Sequence, residues 1–287
     1  MWSTILYILA KTLSEKGGVR MIENTQIQVK KLTWQLGKEK KILDNICMTF
    51  LAGGFYGILG PNGSGKTSLV RHLLRLLEAK QGEVSLNQQN LAQIKRKEIA
   101  RNIALVPQNT NIETNFTAYD VVMMGRAPYQ KRFEEMTQQD MQIVKEAMDL
   151  MNCYHLRDQI YSSLSGGEAQ RVIAARAIAQ QTPWLILDEP IAHLDIRYQV
   201  ELMEHLRQLN EERKVSILAV LHDINLSAAY CKEIVLMKDA KIIAYGKVED
   251  VLTVKNLEKA YGMEFITCKP EGYEHSVFIA KGRSNLS

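Results

Sequence analysis

The feature that most constrains the fold of this chain is a glycine-rich loop, GPNGSGKT, which matches GxxxxGK[ST] at each fixed position. An apolar strand pattern (FYGIL) precedes it, and an amphipathic helix pattern (SLVRHLLRLLEA) follows it. Glycines let the backbone curl so that its N–H groups point inward at phosphate oxygens, and the helix N-terminus adds a positive dipole. The loop therefore predicts a strand–loop–helix unit that binds nucleotide phosphates. The predicted contacts are Gly60, Pro61, Asn62, Gly63, Ser64, Gly65, Lys66, Thr67 and Ser68.

Two side chains of this loop carry specific chemistry. Lys66 is expected to reach the β- and γ-phosphates, and Thr67 is expected to give its hydroxyl oxygen to Mg²⁺. The alternative is a glycine-rich turn with an ordinary exposed lysine, which the agreement of all fixed positions and both flanks disfavours. The helix is predicted to present one apolar face along its length, formed by Leu69, His72, Leu73, Leu76 and Leu77.

A second apolar strand pattern, WLILDE, ends in two acidic residues. Asp188, at the end of the strand, is expected to hold Mg²⁺ through water. Glu189, one residue further, is placed to polarise a water molecule for attack on the γ-phosphate. Two acids could also merely end a strand or cap the next helix. The phosphate-binding loop elsewhere in the chain favours the catalytic interpretation.

Periodicity organises the rest of the chain into an α/β fold. Alternating strand patterns cover 26–35 and 41–50, and hairpins are predicted at 83–91 and 232–247. Strand, helix and strand alternate again over 184–223. This rhythm predicts parallel βαβ units and a sheet that is buried on both faces.

Strand patterns disappear between about residues 109 and 181, where helical patterns dominate. The sequence therefore predicts one α/β domain over 21–265 with an α-helical subdomain over about 109–181. Residues 249–265 are expected to be helical. The C-terminal tail, 266–287, is short and its pattern is ambiguous.

Composition excludes several other classes of protein. Among 287 residues, 36 basic and 32 acidic side chains give a net charge of +4, too small an excess to indicate nucleic-acid binding by itself. No stretch reaches the ~20 apolar residues that a membrane-spanning helix needs. The apolar start MWSTILYILA lacks the flanks of a signal peptide, so we expect 1–20 to be an extension upstream of a true start at Met21. Four widely spaced cysteines are expected to be free thiols of a reducing compartment, namely Cys47, Cys153, Cys231 and Cys268.

The segment Leu164-Ser165-Gly166-Gly167-Glu168, followed by a long helical pattern, resembles the signature motif of ATP-binding cassette (ABC) ATPases. The resemblance covers essentially residues 26–250. Gln108 resembles the Q-loop glutamine, Ala192-His193-Leu194-Asp195 the D-loop, and His222 the switch histidine. The resemblance implies a P-loop NTPase (RecA-like) core, an antiparallel β subdomain and an α-helical signature subdomain.

The resemblance also implies roles that the residues alone leave open. Gln108 is expected to bind Mg²⁺ and water and to sense a transmembrane partner, and His222 to contact the γ-phosphate and the attacking water. Either could otherwise be an ordinary loop side chain. The SGG segment can be a second anion site at a helix N-terminus, a plain N-cap, or both. In ABC ATPases, two subunits pair head to tail, so Ser165, Gly166 and Gly167 of one copy are expected to close over the other copy's ATP.

One position departs from the family pattern. ABC ATPases usually stack adenine on an aromatic residue just before the first hairpin glycine, and Leu36 occupies that place here. Trp34, expected on the same face, is the alternative contact. Weaker stacking would loosen ATP binding, because base–aromatic stacking contributes ~1–3 kcal/mol.

Three further segments, 120–129, 221–230 and 246–252, resemble ATPases of iron-siderophore, haem and vitamin B12 importers. The resemblance implies a homodimer in the ATP-bound state, with ATP and Mg²⁺, on the cytoplasmic face of the cell membrane. It also implies that the partners are two permease subunits and an extracytoplasmic substrate-binding protein, and that nucleic acid is not a partner. The alternatives are an ATPase of another transporter class and a non-transport ABC ATPase. A non-transport ABC ATPase usually carries two cassettes or a long coiled-coil insertion, and this sequence shows neither.

Overall fold

The computed structural model describes residues 25–37, 40–108, 115–131, 135–191 and 195–282. The expected extension at 1–20, the start at Met21 and the D-loop residues Ala192, His193 and Leu194 lie outside the described residues. The same holds for the first residues of the predicted helical subdomain and for the end of the tail. The boundaries at 21 and 265 stay predictions.

The first part of the chain forms an antiparallel four-stranded sheet. Its strands are β1 (Gln26–Leu36), β2 (Lys40–Leu51), β4 (Gln81–Leu86) and β5 (Gln89–Asn90), in the order β2-β1-β4-β5. The strands predicted at 26–35 and 41–50 and the hairpin predicted at 83–91 are confirmed.

A second, six-stranded sheet lies at the centre of the molecule. Its strands are β3 (Phe55–Leu59), β6 (Ile103–Val106), β7 (Trp184–Asp188), β8 (Ser216–Val220), β9 (Glu233–Lys238) and β10 (Lys241–Lys247). Their order is β10-β9-β3-β8-β7-β6. Five of the strands run parallel, and β10 pairs antiparallel with β9 at one edge. The predicted parallel sheet and the hairpin predicted at 232–247 are confirmed.

Side chains of the central sheet enter two hydrophobic cores. Tyr56 and Ile58 of β3 pack in the core shared with the antiparallel sheet, whereas Phe55 and Leu59 pack in the core on the opposite side. Every residue of β3, β7 and β8 is buried. This is the pattern expected of parallel strands covered on both faces.

The helix after the glycine-rich loop, α1 (Lys66–Leu73), is shorter than predicted. Leu69, His72 and Leu73 are buried as expected. The prediction was wrong for Leu76, which is 63% exposed beyond the end of the helix, and Leu77 also lies outside it. The chain leaves the helical path at Arg75, where φ is 52°. A left-handed residue of this kind ends a helix.

A short helix, α2 (Arg96–Ile99), precedes β6. Three capped helices then dominate the described residues between 115 and 191. They are α3 (Ala118–Met123), α4 (Gln138–Leu150) and α5 (Gly166–Ala179). All three begin with a capping box. In this motif the hydroxyl of a Ser or Thr accepts a hydrogen bond from the backbone N–H of an acidic residue three positions later, and the acidic side chain accepts one from the backbone N–H of the Ser or Thr. These local signals explain where each helix begins.

The C-terminal part adds helices and a small hairpin. The helices are α6 (Ile196–Arg213), α7 (Ile224–Tyr230), α8 (Val248–Val251) and α9 (Val254–Tyr261). The helical prediction for 249–265 is correct up to Tyr261, after which β11 (Phe265–Cys268) pairs antiparallel with β12 (Val277–Ala280). All four cysteines are free, as predicted.

Candidate nucleotide-binding and hydrolysis site

The glycine-rich loop connects β3 to α1, and its backbone lies against two neighbouring strands. Gly60 has a φ of 148°, and a Cβ atom there would clash with the backbone oxygen of Met237 in β9. Gly65, with a φ of 106°, would clash in the same way with the backbone oxygen of Ile42 in β2. Only glycine fits at these two positions, so contact with both strands fixes the path of the loop.

Lys66 is the first residue of α1, and its ammonium group folds back over the loop. The residue is buried, and Nζ donates hydrogen bonds to the backbone oxygens of Gly60 (2.8 Å) and Pro61 (3.1 Å). Burial lowers the pKa of Lys66, an effect that the negative charges of Glu189 and Asp188 oppose. The loop thus holds a positive charge where it can pair with phosphate oxygens.

Thr67 and Asp188 meet across 121 residues of sequence. The Thr67 hydroxyl donates to Asp188 Oδ1 over 3.2 Å, at the carboxyl end of β7. Burial raises the pKa of Asp188, and the hydrogen bond from Thr67 acts in the opposite direction. A hydroxyl and a carboxylate fit Mg²⁺, which completes its shell with water and phosphate oxygens. In the described ranges, no three His, Cys, Asp or Glu side chains cluster as a metal site of their own.

The carboxylate of Glu189 is held from two sides. Gln108 Nε2 donates to its Oε2 over 2.6 Å, and Nε2 of His222 lies 2.7 Å from its Oε1. The Glu189 side chain is 14% exposed, whereas that of His222 is 41% exposed. All three residues were predicted to act at the site from sequence, and the structure brings their side chains together.

The sheet order explains why these three residues meet. Gln108, Glu189 and His222 each follow one of three adjacent parallel strands, β6, β7 and β8. The carboxyl ends of parallel strands share one edge of the sheet, which is where open α/β sheets bind ligands. The glycine-rich loop leaves the same edge, from the end of β3.

The signature segment lies at the N-terminus of α5. Ser165 is the N-cap, and the Glu168 carboxylate accepts hydrogen bonds from the Ser165 backbone N–H (2.9 Å) and hydroxyl (2.6 Å). These bonds lower the pKa of Glu168. Ser165 and Gly166 are exposed, whereas Leu164, Gly167 and Glu168 are half-buried. The N-cap interpretation is therefore correct, and the exposed turn leaves the anion-binding interpretation open.

Asp195, the described residue of the D-loop, has a similar capping role. Its carboxylate accepts a hydrogen bond from the backbone N–H of Tyr198 over 3.1 Å at the start of α6. The Asp195 side chain is exposed. The structure therefore places it near a surface rather than inside the core.

The two candidate adenine contacts differ in their surroundings. Trp34 is half-buried, and its ring meets that of His72 edge to face with centroids 5.6 Å apart. Leu36 is 64% exposed and pairs with Lys40 at the hairpin. Register shifts on both sides of Trp34 break the simple alternation from which a shared face was predicted. Contact of either residue with adenine stays a prediction.

Sequence patterns missed one charged residue near this site. The positive charge of Arg71 acts on the Asp188 carboxyl and favours its ionised form. Arg71 follows Thr67 by four residues in α1, so the two lie on the same face of the helix. The four-residue spacing between Thr67 and Arg71 was therefore the signal in the sequence that could have placed Arg71 near the site.

The chain matches known proteins over most of its length. The family model described as ABC transporter matches residues 43–192. The ferric enterobactin transport ATP-binding protein FepC of Escherichia coli K12 is 35% identical over 238 residues, which cover 83% of this chain and 88% of FepC. The hemin import ATP-binding protein HmuV of Escherichia coli O157:H7 is 39% identical over 246 residues, which cover 84% of this chain and 93% of HmuV.

Solved structures show the same fold. An inward-facing ABC transporter described as metal-chelate type aligns with a TM-score of 0.80 at 24% identity, over 92% of this chain and 100% of that chain. The dimeric structure of the bacterial ABC transporter cassette MJ0796 aligns with a TM-score of 0.69 at 27% identity, over 77% of this chain and 98% of that chain.

Fold and site together define the class: the chain is an α/β nucleotide-binding protein with a P-loop NTPase fold. Within that class it belongs to the ABC transporter family, as an ATP-binding and ATP-hydrolysing subunit of a membrane-associated transporter. In the part of the chain that the structure describes, no helix combines the length and the apolar character needed to cross a membrane.

Proposed function

We propose that this chain energises the import of an iron-containing or related chelate: an iron-siderophore complex, haem or vitamin B12. The names of the relatives support iron-siderophore and haem cargo, because FepC is a ferric enterobactin transport protein and HmuV a hemin import protein. Vitamin B12 rests on the sequence resemblance alone. The observation that supports hydrolysis is the cluster of Gln108, Glu189 and His222 at the edge of the central sheet.

The proposed chemistry assigns a role to each side chain of the cluster. Glu189 accepts a proton from the water that attacks the γ-phosphate, because its carboxylate is a base that its neighbours hold in one place. Gln108 and His222 hold that carboxylate, and they orient the water and the γ-phosphate. Lys66 pairs with the phosphate oxygens. Thr67 and Asp188 would hold Mg²⁺, which supplies positive charge to the phosphate oxygens.

The proposed assembly has two copies of this chain. The signature segment of one copy, Leu164 to Glu168, closes over the ATP that the other copy holds, with Asp195 near the joint surface. Two permease subunits would anchor the pair on the cytoplasmic face of the membrane, and an extracytoplasmic binding protein would deliver the cargo. The dimeric cassette structure supports the pairing.

The test of the proposed function is uptake in iron-starved cells that lack this chain. Radiolabelled iron on a panel of siderophores, labelled haem and labelled vitamin B12 are offered in parallel. Complementation uses the wild type or Lys66→Ala. Loss of one cargo that only the wild type restores identifies the substrate. Undiminished uptake of every cargo, in cells without a second ATPase that substitutes, overturns the proposal and favours another transported substrate or a non-transport role.

The role of Glu189 has a separate test with purified protein. Glu189→Gln should nearly abolish ATP hydrolysis and allow an ATP-bound dimer to accumulate, because the amide keeps the shape of the side chain but cannot accept the proton. Size-exclusion chromatography with MgATP measures the dimer. Hydrolysis at the wild-type rate would exclude Glu189 as the base.

A further inference from the structure

The C-terminal hairpin, β11 and β12, packs against the helix that follows His222. Phe265 and Phe278, one from each strand, are 6% and 8% exposed and enter the same hydrophobic core as Leu221 and Ala228. The tail that was ambiguous in sequence is therefore docked on α7, directly beside the switch histidine's segment.

One side chain, Asn225, makes a two-point contact between α7 and the hairpin. Asn225 Nδ2 donates to the backbone oxygen of Phe278 over 3.2 Å, and the Phe278 backbone N–H donates to Asn225 Oδ1 over 2.8 Å. Both backbone groups of Phe278 are thus satisfied by one amide. An amide side chain that binds an N–H and a C=O of the same residue copies the pairing of a neighbouring strand. It covers the open edge of β12 at this position.

The same residue is fixed to the backbone beside His222. Asp223 caps α7, and its Oδ1 accepts from the backbone N–H of Asn225 (2.8 Å) and of Leu226 (2.9 Å). Ser227 Oγ donates to the backbone oxygen of Asp223 over 2.7 Å. The first turn of α7 therefore behaves as one rigid unit, attached to the hairpin through Asn225.

His222 depends on that unit for its position. Its side chain is 41% exposed, so packing around the imidazole constrains it little, yet its Nε2 lies 2.7 Å from Glu189. Leu221, between the end of β8 and His222, donates its backbone N–H to the oxygen of Ile58 over 3.1 Å, and His222 directly precedes the cap residue Asp223. Its backbone is held from one side by the sheet and from the other side by the capped turn.

We propose that the C-terminal hairpin is a strut for the hydrolytic site, and that Asn225 is the positioning residue through which it holds His222 against Glu189. This inference rests on the proposed role of His222 in hydrolysis. Asn225 itself touches none of the reacting groups. Its loss should free the turn, and His222 should then spend less time at the distance needed for catalysis.

The test compares Asn225→Ala with Asn256→Ala in the full chain. Asn256 is a matched control, because its Nδ2 also donates to a backbone oxygen, that of Val251 (3.0 Å), and it lies on α9 and not on the helix that follows His222. Asn225→Ala should lower kcat for ATP of the order of tenfold, below the ~10²-fold that a 1 Å misplacement can cost. The KM for ATP should stay within about twofold, since the phosphate-binding loop is untouched. Asn256→Ala should match the wild type in both constants.

A second readout follows the hairpin directly. Limited proteolysis of Asn225→Ala should release the segment beyond Met263 faster than in the wild type or in Asn256→Ala, because the edge of β12 is no longer tied to α7. An effect that was only a loss of stability would lower the melting temperature and leave the kcat of the folded protein unchanged. Unchanged kcat overturns the proposal, whether or not cleavage becomes faster.

The decisive arm places Asn225→Ala in a His222→Ala background. If Asn225 acts through His222, the double variant hydrolyses ATP no more slowly than His222→Ala alone. Additive losses overturn the proposal, since Asn225 would then act by another route. If His222→Ala itself hydrolyses ATP normally, the role of His222 in the proposed function fails, and an effect of Asn225 cannot run through it. If His222→Ala is impaired but Asn225→Ala is not, the positioning role of Asn225 and the hairpin is wrong, and the role of His222 in hydrolysis stands.

Discussion

At the scale of single residues, Glu189 combines a strained backbone with a held carboxylate. Its φ is 53°, in the left-handed region that glycine adopts freely and other residues rarely do. The backbone N–H of Glu189 donates to the oxygen of Val220 over 3.2 Å, which fixes this conformation at the edge of the sheet. Strain at such a position persists only where the surroundings enforce it, and catalytic sites are a common place for it.

Two substitutions at Glu189 separate the strain from the chemistry. Glu189→Gly and Glu189→Ala both remove the carboxylate, so both should abolish turnover. Glu189→Gly should be more stable than Glu189→Ala by about 1 kcal/mol, because the left-handed conformation at this position is unfavourable for alanine but not for glycine. Urea denaturation of the two variants measures the difference. Equal stabilities would show that the site relaxes around residue 189 and stores no strain there.

His72 makes stability depend on pH. Its Nδ1 lies 2.8 Å from the backbone oxygen of Ser68, and its Nε2 is buried. Burial lowers the pKa of His72, so the unfolded chain binds a proton more readily than the folded one. The stability that neutral His72 contributes to the folded chain is therefore fully present above the ordinary histidine pKa of about 6.5, and it is lost as the pH falls below that value.

The expected result is a urea midpoint that falls between pH 7 and pH 5 and falls less in His72→Leu. The decrease should not vanish, because burial also lowers the pKa of His205. His275→Leu is the control, since His275 is exposed and should leave the pH dependence unchanged. A wild-type slope in His72→Leu would place the proton uptake elsewhere.

At the scale of elements, sequence patterns predicted strands better than ends and attachments. Alternation located β1 and β2, and the run FYGIL coincides with β3 because every residue of that strand is buried. The end of α1 was missed because the left-handed conformation of Arg75 leaves no clear mark in the sequence. The C-terminal hairpin was missed because its position depends on Asn225, 53 residues away from Phe278.

The candidate site was predicted to a similar extent. The acidic end of a strand pattern predicted Glu189, and the family resemblance predicted Gln108 and His222, but only the order of the parallel strands explains why the three side chains meet. Adenine contacts were the weakest part of the prediction. Register shifts around Trp34 cannot be read from alternation, since a bulge moves later side chains to the other face.

The segment 120–129, which the sequence marked only by resemblance, has a physical role in joining elements. Arg126 is 6% exposed, and its Nε donates to Asp140 Oδ1 over 2.8 Å at the start of α4. Its Nη1 donates to the backbone oxygen of Ala179 over 2.8 Å at the end of α5. Its guanidinium lies 4.2 Å from the ring centroid of Tyr129, whose hydroxyl donates to the backbone oxygen of Gln180. The cluster ties α4 to the C-terminal end of the signature helix.

Arg126→Met should therefore lower the free energy of unfolding by about 3 kcal/mol, because it leaves a mostly buried carboxylate without its cation. Asp140→Asn in the same chain should restore part of the loss, since the two residues interact. Arg207→Met is the control: Arg207 pairs with Glu204 and Glu211 but is 45% exposed, so its loss should change stability by less than about 1 kcal/mol. Equal losses at Arg126 and Arg207 would contradict the joining role.

At the scale of the whole molecule, the two segments that the proposed dimer brings together lie on different elements of one copy of the chain. The glycine-rich loop leaves the edge of the central sheet, whereas Ser165 and Gly166 lie exposed at the start of α5. Within the described residues, no hydrogen bond joins 60–68 to 164–168. Each segment has groups that suit an anion, and a head-to-tail pair would bring the glycine-rich loop of one copy close to the signature turn of the other.

Mixing two inactive variants tests this pairing. Lys66→Ala removes the charge of the phosphate-binding loop, and Gly166→Asp adds a negative charge at the signature turn. Open space surrounds the Cβ position at Gly166, and an acid in the first turn of a helix is tolerated, so the second variant should fold. Each variant alone should hydrolyse ATP at a small fraction of the wild-type rate. In a mixed dimer, one site combines the intact loop of one copy with the intact signature of the other, while the second site carries both defects.

An equimolar mixture should then regain about a quarter of the wild-type rate, because half of the randomly formed dimers are mixed and each has one intact site of two. The figure assumes that the two sites act independently, and cooperation between them would lower it. A mixture of Lys66→Ala with Glu189→Gln is the control. Both of its defects lie in the loop-bearing half, so every site in every dimer carries one of them and no activity should return. If the first mixture stays as inactive as its components while both variants bind to each other, each chain completes its own site and the head-to-tail arrangement is wrong.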